Sequence, residues 1–96
     1  GSLTSGNPQV YMRSPAYPNP FNPQSQFELS VVDEQRVTAE LFNVVGQRVA
    51  TLFSGTVQVG QSQRVTIDGA GLPSGMYLVR ITGERFTDTF RVTLLK

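Results

Sequence analysis

Residues 25–53 read SQFELSVVDEQRVTAELFNVVGQRVATLF, and the fold turns on how this stretch is read. Phe27, Leu29 and Val31 alternate with Glu28 and Ser30. Val37, Ala39 and Leu41 alternate with Thr38, Glu40 and Phe42. A period of two places one set of side chains on each face of a strand, so both runs read as half-buried β-strands. Asp33-Glu34-Gln35 between them is a polar turn. Asn43-Val44-Val45-Gly46 ends the second run, where Gly46 can take positive φ and close a hairpin onto a return strand from Gln47 to Phe53.

The same pattern continues outward in both directions. Ser54-Gly55 and Gly60-Gln61 bracket a short segment, Thr56–Val59. Gln63–Ile67 is the next strand. Asp68-Gly69-Ala70-Gly71-Leu72-Pro73-Ser74-Gly75 is a glycine-rich loop. The last hairpin pairs Met76–Thr82 with Arg85–Leu95 across a Gly83-Glu84 turn. Towards the start, residues 15–23 (PAYPNPFNP) hold four prolines in nine positions. Proline fixes φ and lacks a backbone donor, so this piece is an extended edge segment with turns, pinned by Tyr17 and Phe21. No window has helical periodicity. About seven short strands with regular turn signals predict an all-β, immunoglobulin-like sandwich of antiparallel strands. The sandwich is expected over residues 10–96. Residues 1–9 read as a cloning remnant, Gly1-Ser2, followed by a flexible linker.

Size and charge limit what such a domain does. A chain of 96 residues hides only about 60–65% of its unfolded surface, which leaves a thin core and no deep cavity. Eight basic and seven acidic residues give a net charge of +1. That balance supplies no long-range field for nucleic acid or an anionic membrane. No apolar run is long enough to span a membrane. There is neither cysteine nor histidine, which removes disulfides, the usual zinc ligands and the usual nucleophile–base pairs.

The remaining candidates for chemistry are weak. Glu28 and Glu40 fall on polar strand faces, and Asp33, Glu34 and Glu84 fall in turns, so solvated surface is the better reading of each. Asp68 opens the glycine loop, but a single carboxylate does not make a calcium site. Asp88 shares the parity of Phe86, Phe90, Val92 and Leu94, which puts it on the apolar face. A bulge, an edge or strand-end position, or an arginine partner such as Arg80 would resolve this, and the edge or strand end is favoured. Tyr11, Tyr17, Phe21, Phe42 and Phe53 are enough rings for a sugar-binding platform, although a small core needs those rings itself. No cofactor or metal is expected, and nothing indicates an enzyme.

Three stretches in order carry a family resemblance. They are Ala16-Tyr17-Pro18-Asn19-Pro20-Phe21-Asn22-Pro23, then Val37 through Leu52, then Asp68 through Ile81 with a closing strand that ends Leu94-Leu95-Lys96. Together they resemble the type A C-terminal sorting domain of the type IX (Por) secretion system. That domain is related to immunoglobulin-like modules of flagellar hook-capping proteins. The chain departs from the pattern at Ile67, where the family often has tryptophan.

The resemblance implies a non-catalytic signal that directs a fused upstream cargo, by way of the periplasm, through an outer-membrane translocon to the surface or medium. A sortase then removes the signal. It carries over Tyr17, Pro18, Asn19, Pro20, Phe21, Gly46, Gly75, Tyr77, Arg91 and Lys96 as motif or recognition positions. In it, Pro-Asn-Pro-Phe fixes the edge where the chain enters the domain, and Tyr77 packs inward. The last strand offers its edge, or Lys96, to the translocon. A carbohydrate-binding or adhesion module of an extracellular enzyme, and a passive spacer, remain as alternatives.

Overall fold

The computed structural model describes residues 11–96. The expected linker, residues 1–9, and the first residue of the expected sandwich, Val10, lie outside them. Seven strands follow in order: β1 (Tyr11–Arg13), β2 (Gln24–Val31), β3 (Gln35–Phe42), β4 (Arg48–Val57), β5 (Gln63–Asp68), β6 (Gly75–Thr82) and β7 (Thr87–Leu94). They form two antiparallel sheets, ordered β1-β2-β5 and β4-β3-β6-β7. In a constant-type immunoglobulin domain the fourth strand joins the first sheet. Here β4 pairs with β3 and makes the second sheet the wider one.

Alternation works as the sequence predicts. Phe27, Leu29, Val31, Val65 and Ile67 point inward from the three-stranded sheet. Val37, Ala39, Leu41, Tyr77, Val79, Ile81, Val92 and Leu94 face them from the other. Nearly all are below a few per cent exposed, as expected of a single packed layer between sheets. Ile67 is among the fully buried, so the departure from the family pattern is a change of core packing.

Asn43 makes the β3–β4 turn. Its Oδ1 accepts from the Val45 and Gln47 amides, and Gly46 takes φ +88°. Such a φ costs glycine nothing and strains other residues.

The strand count matches the expectation, but its composition differs. β1 carries no alternation long enough to read and was not expected. Thr56–Val59 is not a separate strand, because β4 runs unbroken through Ser54-Gly55. Gly55 lies opposite Val37, with the Phe53 ring 3.4 Å from where its Cβ would stand. The glycine there makes room for a neighbour and does not end the strand.

Gln35 is not in the turn. It opens β3 at 2% exposure, its Oε1 accepting from the Glu84 and Arg85 amides and its Nε2 donating to the Asp33 carbonyl. A buried amide with all these partners ties the two turns at that end together. Because Gln35 binds the turn, Arg85 and Phe86 stay in it, and β7 starts at Thr87.

Candidate functional site

The proline segment crosses from one sheet to the other. Tyr17 bridges Gln26 of β2 through two backbone hydrogen bonds, at 2.9 and 3.1 Å. Its ring, though, is 78% exposed, so the expected pin by the Tyr17 side chain is not formed. Buried Ala16 and Phe21 hold the segment instead. The Pro18 carbonyl accepts from the Ser25 hydroxyl at 2.7 Å. The peptide bonds preceding Pro18, Pro20 and Pro23 are cis.

Phe21 then lies parallel to the end of β7. Its amide donates to the Thr93 carbonyl at 2.8 Å, and its carbonyl accepts from the Leu95 amide at 3.0 Å. Asn19 continues this contact with its side chain: Oδ1 accepts from the Thr93 amide at 3.0 Å and Nδ2 donates to the Arg91 carbonyl at 3.4 Å. Pro-Asn-Pro-Phe thus closes the exposed side of the last strand's second half. The Phe21 ring fills the core beneath, against Leu94 and the backbone of Gly69. A Cβ at Gly69 would stand 2.8 Å from Leu94 and 3.1 Å from Phe21, which explains glycine at this point of the loop.

All ten motif positions gather at the end of the sandwich where β6 begins and β3 and β7 finish. Gly75 faces Leu94 with φ +151°. Tyr77 is buried, and its hydroxyl donates to the Pro73 carbonyl four residues upstream at 2.6 Å. This is the tyrosine corner of immunoglobulin-like sandwiches, a tie between the loop and the strand that follows it. Lys96 does not project. Its amide donates to the Ser74 hydroxyl and its Nζ to the Ala70 carbonyl at 2.8 Å, folding it onto the glycine loop. Arg91 is exposed and rests its guanidinium 3.7 Å from the Met76 sulfur. Gly46 belongs to the neighbouring turn, where Val44 meets Met76, Leu78 and Arg91 around a shallow hollow.

The other half of β7 holds a cluster that the motifs do not mark. β7 is a sheet edge, and Asp88 points inward near its start with continuous register to β6, so no bulge is involved. The partner is Arg13 of β1, not Arg80. Arg13 Nε and the Tyr11 hydroxyl both donate to Asp88 Oδ2 at 2.9 Å. Arg80 stands on the opposite face, over the Phe42 ring at 4.7 Å. Arg13 also covers the Phe90 ring at 3.9 Å, and Tyr11 stacks on Phe86 with centroids 4.1 Å apart. Burial first, then the hydrogen bond and charge of Asp88, push the Tyr11 hydroxyl well above its ordinary range. Asp88 on the apolar face was the one signal for this cluster in the sequence. The rings weighed as a sugar platform are dispersed: Phe21 is in the core, Tyr11 in this cluster, Tyr17 alone at the surface and Phe42 under Arg80.

On the outer face of β2, Glu28 accepts from Ser62 and from Arg64, which holds its carboxyl below the usual range. Among the described residues no three acidic side chains converge as a metal site would require.

The model of the secretion system C-terminal sorting domain matches residues 15–93, from the proline segment to the end of β7. No curated protein matches the chain.

Proposed function

The chain belongs to the C-terminal sorting domains of the type IX secretion system, and from that premise we propose that it is a non-catalytic export signal for a fused upstream cargo. The translocon in the outer membrane reads the folded sandwich, and a sortase cuts ahead of it, so the cargo reaches the cell surface or the medium by way of the periplasm. One observation carries the reading from the structure. The motif residues meet at one end of the sandwich, where the proline segment, the glycine loop and the last strand share hydrogen bonds. Most of these residues hold that end in shape, and Arg91 and the Tyr17 ring are left at the surface for a partner.

The test is a fluorescent reporter behind a signal peptide, with and without this chain fused after it, in a bacterium that has type IX machinery. Deleting β7 is a poor control, because it removes Val92 and Leu94 from the core and unfolds the domain. Reporter in the medium or at the surface only when the chain is attached is the expected result. Reporter held in the periplasm by a folded domain overturns the proposal and favours an adhesion or carbohydrate-binding module.

A further inference from the structure

The two sheets have four edges, β1, β5, β4 and β7. β1 is three residues long, β4 carries two register shifts, and Asn19 and Phe21 close the second half of β7. Short strands, bulges and covering segments all discourage pairing with another chain. β5 has none of these devices. It runs from Gln63 to Asp68 in continuous register with β2, without proline or lysine.

The hydrogen bonds of β2 decide which backbone groups β5 leaves open. Gln26 exchanges two backbone hydrogen bonds with Tyr17, and Glu28 does the same with the Ser14 amide and hydroxyl. Both therefore face away from β5. In an antiparallel ladder successive residues point at alternate neighbours, so Ser25, Phe27 and Leu29 bind Ile67, Val65 and Gln63. Arg64, Thr66 and Asp68 then turn their amides and carbonyls outward. Among the described residues, the one hydrogen bond to these groups comes from the Gln63 side chain, to the Arg64 carbonyl.

The same three residues place their side chains, exposed, on the outer face. The arginine and the aspartate stand at equal distances on either side of Thr66. An antiparallel meeting of two copies, with Thr66 at the two-fold axis, sets Arg64 of each opposite Asp68 of the other. All three positions become hydrogen-bonded pairs in that register. Moving the axis to Arg64 or to Asp68 would set like charges face to face, which repel. Glu28 lies directly across β2–β5 from Arg64 and binds it at 3.2 Å. The joint thus continues a row of alternating charge, from Glu28 to Arg64 to Asp68 of the second copy.

We propose that β5 is the interface of a homodimer, in which two chains join edge to edge through Arg64–Asp68. Their three-stranded sheets become one continuous six-stranded sheet. The contact is isologous, and the charge pattern of this edge is what selects a second copy as its partner. The chain enters the sheet at β1, on the other side of β2, so a cargo fused upstream attaches at the edge opposite the joint.

The sequence has no cysteine, so a single introduced thiol reports the register. Thr66→Cys sets two thiols across the axis, where the Cα atoms of a hydrogen-bonded pair lie about 5.5 Å apart, within reach of a disulfide. Gln26→Cys is the control. Gln26 is exposed on the same face, directly across from Thr66 on β2, and would stand about 15 Å from its copy. The interface is small, so the wild-type chain should reach half dimer only near about 0.1 mM in sedimentation equilibrium. Under mild oxidation at that concentration, Thr66→Cys should cross-link about tenfold or more faster than Gln26→Cys. Asp68→Asn keeps the Oδ1 that accepts from the Ala70 amide and removes the charge. With two cross-strand pairs lost, it should weaken association about fivefold. A wild-type chain that stays monomeric up to about 1 mM overturns the dimer. Equal cross-linking of the two cysteine variants overturns it too, as does association that Asp68→Asn leaves unchanged. Each of these outcomes leaves the sorting reading standing.

Discussion

The two halves of β7 are fastened by different means. From Arg91 onward the strand is held through its backbone, by Phe21 and the Asn19 side chain, over buried Val92 and Leu94. Both halves pair with β6, and from Thr87 to Phe90 what is added on the other side is side chains, the Arg13 and Tyr11 contacts to Asp88 and the rings beside them. The first arrangement uses up the strand's outer hydrogen-bonding groups. The second leaves those groups without a hydrogen bond among the described residues. One strand is therefore anchored by two different kinds of contact along its length.

The largest way to break this comparison is Phe21→Ala. The ring is 2% exposed and its loss leaves a cavity against Leu94 and Gly69. The expected cost is about 3–5 kcal/mol. For a domain of this size, that is a large share of total stability and lowers Tm by about 12 °C or more. Thermal unfolding followed by circular dichroism measures it. Amide exchange at Thr93 and Leu95 should speed up in the same variant, because the backbone contact depends on the ring staying in place. A Tm within a few degrees of wild type would mean the hydrogen bonds alone hold this half.

Asp88→Ala probes the other half and should do less. It leaves the Arg13 guanidinium and the Tyr11 hydroxyl without their acceptor at a half-exposed site, for a cost of about 1–2 kcal/mol. Combined with Arg13→Ala in a double-mutant cycle, the pair should show a coupling of about 1 kcal/mol. Additive losses would mean that Arg13 acts through the Phe90 ring and not through Asp88.

The two halves also differ in how far the sequence discloses them. The backbone-held half is legible because its requirements are local. Proline excludes pairing inside a sheet, and Phe21 next to such prolines must be buried somewhere. Tyr77 behind the glycine loop suits an inward position. The sheets are legible for a similar reason, since the alternation in β2, β3 and β6 needs no partner to be recognised. β1 is only three residues long, too short for alternation to show, and beyond its ladder to β2 its side chains are anchored to Asp88, more than seventy positions away. Gln35 was hidden by its type: a glutamine beside Asp33 and Glu34 looks like turn, and only the facing turn's amides make its burial favourable. Tyr17 misled in the opposite sense, because its backbone does the pairing while its ring stays outside. Asp88 alone broke the alternation. An acid with apolar parity marks a long-range partner without naming it, and the nearest arginine on the adjacent strand, Arg80, proved to be on the wrong face.

The smallest expected effect concerns pH and belongs to the side-chain-held half. Burial, reinforced by the hydrogen bond and charge of Asp88, raises the Tyr11 hydroxyl despite the opposing charge of Arg13. An unfolded tyrosine loses its proton near pH 10. Above that value the folded chain holds a proton that the unfolded chain has released, so stability falls as pH rises. The contribution is complete below about pH 10 and is lost as pH climbs through the raised folded value. Urea unfolding between about pH 8 and 11 reads the slope. Tyr11→Phe should lower stability slightly at neutral pH, by about 0.5–1 kcal/mol for the lost hydrogen bond, and should flatten the alkaline fall. The second half of β7 has no titrating group in its backbone contacts, so exchange at Thr93 should follow the same pH course in both proteins apart from global unfolding. A slope that survives Tyr11→Phe would place the alkaline loss outside the β1–β7 cluster.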